Sequence, residues 1–351
     1  MRIAILGAGF AGLSTAWHLL YNSQASVSID LYDPIPIGHG VSGISSGLLH
    51  PYGGKQAKQA KEAAKKIDAV HNLIKHASQA LNQPLILSSG ILRPAITQQQ
   101  ITDFRQCALE HSDTEWWNKE KCEAKVKGLH IPQDHGGGLF IKQGLTLDVP
   151  KYLDGLWQSC ALLGTQYIQT AMIKEQDLAR YDRIVFALGY AIKGFKPLEA
   201  LPVESVKGQA LILKWPLGIP PLPFSLISEG YLVMGKETSS CIAGATYERT
   251  FTTHLPEPAV AIPEIRRKIS TFFPSLAEAE IISCQAGIRA ASKHNHQPLV
   301  GKTSDKFWFI TGLGSKGLLY HAWLGNLLSL ALLKDDESLL PKDLRYNLSS
   351  K

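Results

Sequence analysis

Met1-Arg2-Ile3-Ala4-Ile5-Leu6-Gly7-Ala8-Gly9-Phe10-Ala11-Gly12 opens the chain and decides its fold. A short apolar run meets three glycines, and Leu13 to Leu20 continues as an apolar helix. The pattern predicts strand, glycine turn and helix. In that arrangement Gly7 allows the tight turn, Gly9 lets backbone approach a pyrophosphate, and Gly12 lets the helix pack close to the sheet. Phe10 and Ala11 then sit at a helix N-terminus, where free N–H groups and a partial positive charge face phosphate. The alternative is a glycine loop that only turns the chain. A second strand ending in an acid favours the nucleotide reading. Val27, Ile29 and Leu31 alternate with polar residues, and Asp33, 21 residues after Gly12, closes the strand before Pro34 as a ribose ligand. Asp30 is the rival acid, but it lies mid-strand.

At 351 residues the chain has room for two domains or one large one. A hydrophobic content of 45% and charged content of 19% belong to an ordinary globular protein. A net charge of +6 is too small to imply nucleic acid by itself. Five scattered cysteines without a C-x-x-C spacing argue against a disulfide framework or a zinc site, and fit a reducing, cytoplasmic setting. No metal site is expected. The glycine turn inside the first apolar run argues against an export signal. The apolar helix near 318–333 is too short, and too interrupted by His321, Asn326 and Ser329, for a membrane span.

Residues 38–51 are rich in glycine and serine. They read as backbone lying close to a ligand, with serines available to phosphate, or as a flexible linker. Residues 56–81 predict one long amphipathic helix, with Ala57, Ala60, Ala64, Ile67, Val70, Ile74, Ala77 and Leu81 on one side. Lys55, Lys58, Lys61 and Lys65 form the opposite stripe, either a solvated face or a polyanion surface. Residues 181–189 read as a buried strand ending in small residues, so a parallel sheet resumes there. Short strands at 207–213, 230–234 and 241–246 predict an antiparallel sheet, with a covering helix over 259–273. A buried strand at 307–311 leads through Gly312, Gly314, Ser315, Lys316, Gly317 and Leu318 into the last helix. That is a second glycine-led helix start, or an ordinary one. The expected fold is α/β, a Rossmann-like dinucleotide-binding domain with a mostly antiparallel second domain. The segments 1–84, 141–202 and 285–351 are assigned to the first domain, and 85–140 and 203–284 to the substrate-binding one.

Taken in order, GAGFAG (7–12), Asp33, GVSGISSGLLHP (40–51), LDVPKYL (147–153), VFALG (185–189), VKGQ (206–209), GYLV (230–233), AGATYE (243–248), AGIRAAS (286–292), QPLVG (297–301) and GLGSKGLLYHAW (312–323) resemble the D-amino-acid-oxidase family of flavoproteins. Its members include glycine oxidase, sarcosine oxidase and D-amino-acid dehydrogenase. The 41–51, 287–301 and 312–318 segments also resemble the oxidoreductase domain of the bifunctional tRNA wobble-uridine enzyme. Against that domain, Lys316 replaces an arginine, Asn295 stands where an aspartate is usual, and no methyltransferase domain is expected.

The resemblance implies an FAD-binding Rossmann-like domain of the glutathione-reductase type, and oxidation of a C–N bond beside a carboxylate by hydride transfer to flavin N5. All five cysteines precede residue 285, so dissociable, non-covalent FAD is expected. It implies cofactor contacts from Gly7, Gly9, Phe10, Ala11, Gly12, Asp33, Ser42, Gly43, Ser46, Gly47, Leu48, Met172, Ala187, Gly189, Gly312, Gly314, Ser315, Lys316, Gly317 and Leu318. The guanidinium of Arg289 suits a carboxylate through two parallel hydrogen bonds, or a structural ion pair. Tyr231 is expected to touch the same carboxylate, or to be a core tyrosine. Lys316 is expected near flavin N1–O2 or the substrate, and His50 near the flavin or in a structural role. The expected partners are a small amine or amino acid and oxygen or a quinone as electron acceptor, with modified tRNA as the alternative substrate. A flavin-binding protein without catalysis is a third reading.

Overall fold

The computed structural model describes residues 1–171, 173, 175–293 and 296–346. Met172 and Asn295 lie outside the described residues. The first strand, Arg2–Leu6, has its last four residues buried, and the helix Phe10–Asn22 follows the glycine turn. Val27 packs ahead of the second strand, Ser28–Asp33, which lies parallel to the first. Arg183–Phe186 lies on the other side of the first strand, also parallel. The sheet reads, from one edge, 299–302, 307–311, 183–186, 2–6, 28–33 and 166–169, with only 299–302 antiparallel. Parallel strands need crossovers and cover on both faces. The helices Phe10–Asn22, Val149–Leu162 and Gly317–Lys334 supply apolar residues to the core on one face.

The second sheet has nine strands. From one edge run 281–292, 203–214, 240–244, 231–234, 225–227, 86–94 and 137–147, the last also pairing with 48–49 and 114–118. Pairing is antiparallel throughout except between 225–227 and 86–94. The helix Pro258–Ser270 covers it through Ala261, Ile265 and Ile269. Two long strands cross the boundaries drawn from sequence at 140/141 and 284/285. In Gly137–Leu147, Leu139 and Ile141 belong to a core under the second sheet, whereas Leu145 and Leu147 belong to the core of the nucleotide domain. Ile281–Ser292 likewise runs on from the second sheet to bridge Leu313 at Ala291.

The helix expected over 56–81 starts only at Ala63. The residues before it turn back as a small hairpin pairing Tyr52–Gly53 with Lys58–Gln59. Ala57 has φ of +53°, a left-handed conformation no helix accepts, and its side chain is buried. The four lysines are therefore not one helical stripe. Lys55 and Lys58 stand on the hairpin, Lys61 precedes the helix, and Lys65 lies in its first turn.

Candidate active site

A cleft of about 2720 Å³ separates the two sheets and is lined from both. Its nucleotide end begins at the first glycine turn. Gly7 has φ of +108°, and a Cβ there would fall 2.3 Å from the Ala187 carbonyl oxygen. A Cβ on Gly12 would fall 1.7 Å from the Gly7 carbonyl oxygen. Gly12 thus closes the helix onto the turn and does not itself face the cleft. Ala8 donates its backbone N–H to Asp33 at 2.7 Å, and the other Asp33 oxygen accepts from Ile35 at 2.9 Å. Asp33 therefore stands beside the glycine turn, facing the cleft. Its rival Asp30 is buried among Arg2, Arg180 and Tyr181, which occupy it structurally.

The segment 38–51 wraps over this turn. Ser42 Oγ accepts from the Phe10 N–H at 3.2 Å, and a Cβ on Gly9 would fall 2.7 Å from the same oxygen. The N–H groups of Ala11 and Gly12 have no protein partner among the described residues. Gly43 and Gly47 permit close backbone contact, their Cβ positions falling 1.7 Å from Gly38 O and 2.1 Å from Leu147 O. Gly47 packs on the strand rather than lining the cleft, whereas Gly43, Ser46 and Leu48 line it. Ala187 and Gly189 face it just beyond the end of the strand Arg183–Phe186, and Gly189 has no atom within 4 Å of its Cβ position.

Across the cleft, Gly312 and Gly314 take φ of +70° and +53° and lead into the last helix. With Ser315, Lys316, Gly317 and Leu318 they form the facing wall. The two helix starts are locked together. Ser14 Oγ donates to the His321 carbonyl at 2.8 Å, and a Cβ on Gly325 would fall 2.2 Å from that Oγ. His321 Nδ1 faces the Gly317 and Leu318 carbonyls, so it donates, and Nε2 accepts from the Tyr152 hydroxyl at 2.7 Å. Burial lowers its pKa to about 4 and keeps it neutral. These features suit a dinucleotide: two helix N-termini, unpartnered N–H groups, an acid at the second strand and glycines whose Cβ would fill the path.

The second sheet brings a different set of groups. Arg289 is half-buried in the cleft, its Nη2 3.4 Å from the Thr246 carbonyl and its guanidinium 5.6 Å from the Tyr247 ring centre. It has no carboxylate partner among the described residues. Burial lowers its pKa from the ordinary value because water no longer solvates the charge. Tyr231 lies close enough to sense that charge and to bond Ser46, while burial raises its own pKa. His50 also lines the cleft. Burial, with the nearby Arg93 charge, lowers its pKa to about 3, and Nδ1 has no partner. Lys316 donates to the His296 carbonyl at 2.9 Å on the opposite rim.

Sequence reading missed two cations in this cleft. Arg93 ends an apolar strand, donates to the Tyr52 and Gly54 carbonyls at 2.8 and 2.6 Å, and so ties down the hairpin. Lys66 is 2% exposed; its ammonium lies 4.1 Å from the Tyr320 ring centre and 4.7 Å from that of Trp323, and burial lowers its pKa to about 8. An arginine closing an apolar strand was the available signal for the first. Nothing in the sequence set Lys66 apart from its exposed neighbours.

Known proteins place this geometry. The chain superposes on glycine oxidase from Geobacillus kaustophilus with a TM-score of 0.80 at 17% identity, covering 96% of this chain and 95% of that one. It superposes on iminodiacetate oxidase from Chelativorans sp. BNC1 with a TM-score of 0.79 at 18% identity, covering 99% of each. In sequence, 148 residues are 28% identical to the tRNA 5-methylaminomethyl-2-thiouridine biosynthesis bifunctional protein MnmC of Idiomarina loihiensis, over 41% of this chain and 24% of that protein. The match thus spans about a quarter of that relative's length. No helix of the described residues is long and apolar enough to cross a membrane. The family model for FAD dependent oxidoreductases of the DAO type matches residues 2–330, so the chain belongs to that family of FAD-binding oxidoreductases.

Proposed function

We propose that this enzyme oxidises the C–N bond of an amino acid or N-substituted glycine. The half-buried guanidinium of Arg289, open to the cleft with no carboxylate of its own, carries the reading. An unpaired cation shielded from water is a strong site for an anion, and a planar guanidinium holds a carboxylate in a fixed plane. Tyr231 supplies a hydroxyl to the same anion. Burial keeps that hydroxyl protonated and hence able to donate. Together they aim the carbon beside the substrate nitrogen across the cleft, and fixed orientation accounts for much of the rate. The neutral state of His50 leaves the wall beside Arg93 with one positive charge instead of two. Gly7, Gly9, Ser42, Asp33 and the Gly312–Leu318 turn would hold the cofactor. The chemistry it supplies is acceptance of a hydride at N5. Among the described residues no cysteine lines the cleft, which supports non-covalent attachment.

A second reading keeps the chemistry but changes the substrate to a carboxymethylamino group on a modified tRNA base. The lysines favour it. Lys55, Lys58, Lys61 and Lys65 are exposed, and all line one rim of the cleft. Two of them are neutralised, by Asp343 and Glu62.

Anaerobic mixing of the yellow protein with glycine, sarcosine, iminodiacetate and D-alanine separates the readings. Bleaching of the flavin by one of them supports the small-substrate reading. Bleaching by tRNA alone supports the second. Arg289→Ala should lower kcat/KM for the active carboxylate by on the order of 100-fold, the loss of a charge-assisted bidentate contact. An unchanged value removes Arg289 from the site.

A further inference from the structure

The VKGQ and AGATYE segments contain glycines that no cofactor role explains. Gly208 and Gly244 occupy the two central strands of a four-strand run ordered 281–292, 203–214, 240–244 and 231–234. The outer strands carry Arg289 and Tyr231. Arg289 is opposite Val206, so its side chain shares a face with Gly208, two residues along. Tyr231 is directly opposite Gly244. A Cβ on Gly208 would lie 2.3 Å from Arg289 Nη2, 2.9 Å from Cζ and 3.3 Å from Nε. All three nearest atoms belong to that one guanidinium. A Cβ on Gly244 would lie 2.4 Å from both Cζ and the hydroxyl oxygen of Tyr231. Neither glycine has a positive φ, so a left-handed backbone is not what calls for glycine at either place. What demands it is the side chain lying across it.

We propose that Gly208 and Gly244 form a floor over which Arg289 and Tyr231 converge from the strands on either side, and that the missing side chains at these two positions set where the substrate carboxylate is held. Both are positioning residues. Gly208 is the sharper case, because the atoms a methyl group would meet are the far end of a flexible chain. An alanine there is accommodated by pushing the guanidinium off its seat, not by opening the sheet. The strand register places the two glycines on adjacent strands, with Gly244 paired to Ala210, two residues from Gly208 on the same face. The floor is therefore continuous under the two groups.

The inference rests on Arg289 being the carboxylate anchor, and the experiment keeps the two apart. Acetate binding to the holoenzyme is read from the flavin absorbance in the wild type, Gly208→Ala, Arg289→Ala and the double variant. Both single variants should bind acetate between about 10- and 100-fold more weakly, the range for one charge-assisted hydrogen bond. The double variant should bind no more weakly than Arg289→Ala alone, because the methyl group acts only through the guanidinium. Acetate affinity unchanged in Gly208→Ala, or fully additive losses, would overturn the floor while leaving the anchor intact. Unchanged affinity in Arg289→Ala overturns the anchor, and the floor with it. Melting temperature guards against a folding artefact. Gly208→Ala should melt near the wild type, since the flexible guanidinium yields to the methyl group. A large loss of stability that adding Arg289→Ala does not relieve overturns the proposal.

Discussion

A buried histidine that stays neutral ties stability to pH, and the described residues include three. Burial lowers the pKa of His18 and His50 to about 3 and that of His321 to about 4, from an ordinary 6.5. The unfolded chain binds protons at these sites below pH ~6.5, whereas the native state does not until about 3–4. Stability therefore falls as pH drops from about 6.5 toward 4. Melting temperature followed from pH 7 to 4 should show this acid limb. His18→Gln should flatten it, and an unaltered slope would assign the limb to other groups. Some residues of the site were legible and others were not. Arg289 stood out through the family resemblance of the AGIRAAS segment, together with the fit of a guanidinium to a carboxylate. Gly208 did not, because its meaning depends on which side chain crosses it from a strand some 80 residues away.

At the scale of elements, spacing revealed which segments were helical but not where they began. Ala57 and Ala60 continue the apolar repeat of 63–81, yet Gly53, Gly54 and the positive φ of Ala57 turn the chain first. The glycines that place helix ends on the cofactor path were visible; the glycine that presses two helices together was not. Gly325 sits in the middle of the last helix, where sequence reads it only as a weak helix former. In the structure it admits Ser14 of the first helix. Gly325→Ala should destabilise the protein by about 1–3 kcal/mol through overpacking. It should also weaken FAD binding, since the same helix pair presents both N-termini. Urea unfolding and flavin release check the two effects. Normal stability with weak flavin binding would refute the shared cause.

For the whole molecule, alternation of strand and helix announced a parallel sheet, and the turn-rich middle announced an antiparallel one. That strands of the second sheet run on toward the nucleotide domain was not visible, because nothing in the sequence of Gly137–Leu147 or Ile281–Ser292 marks where one core ends and the next begins. Since the cleft lies between the layers, ligand binding should stabilise both. Adding FAD to the apoprotein at about 100 times its Kd should contribute ~2.7 kcal/mol and shift a single unfolding transition upward. Two transitions, only one of them moving, would mean that the layers melt apart.

The first strand lies in the interior of its sheet, between Ser28–Asp33 and Arg183–Phe186, and Phe307–Thr311 lies one strand further out. The wall facing the opening turn belongs to the last helix. A ribosome releases these pieces in order, so the earliest segment made waits for nearly the latest before its nucleotide site has two sides. Flavin loading is then an event of the finished polypeptide, and a nascent chain halted before Gly317 should emerge colourless.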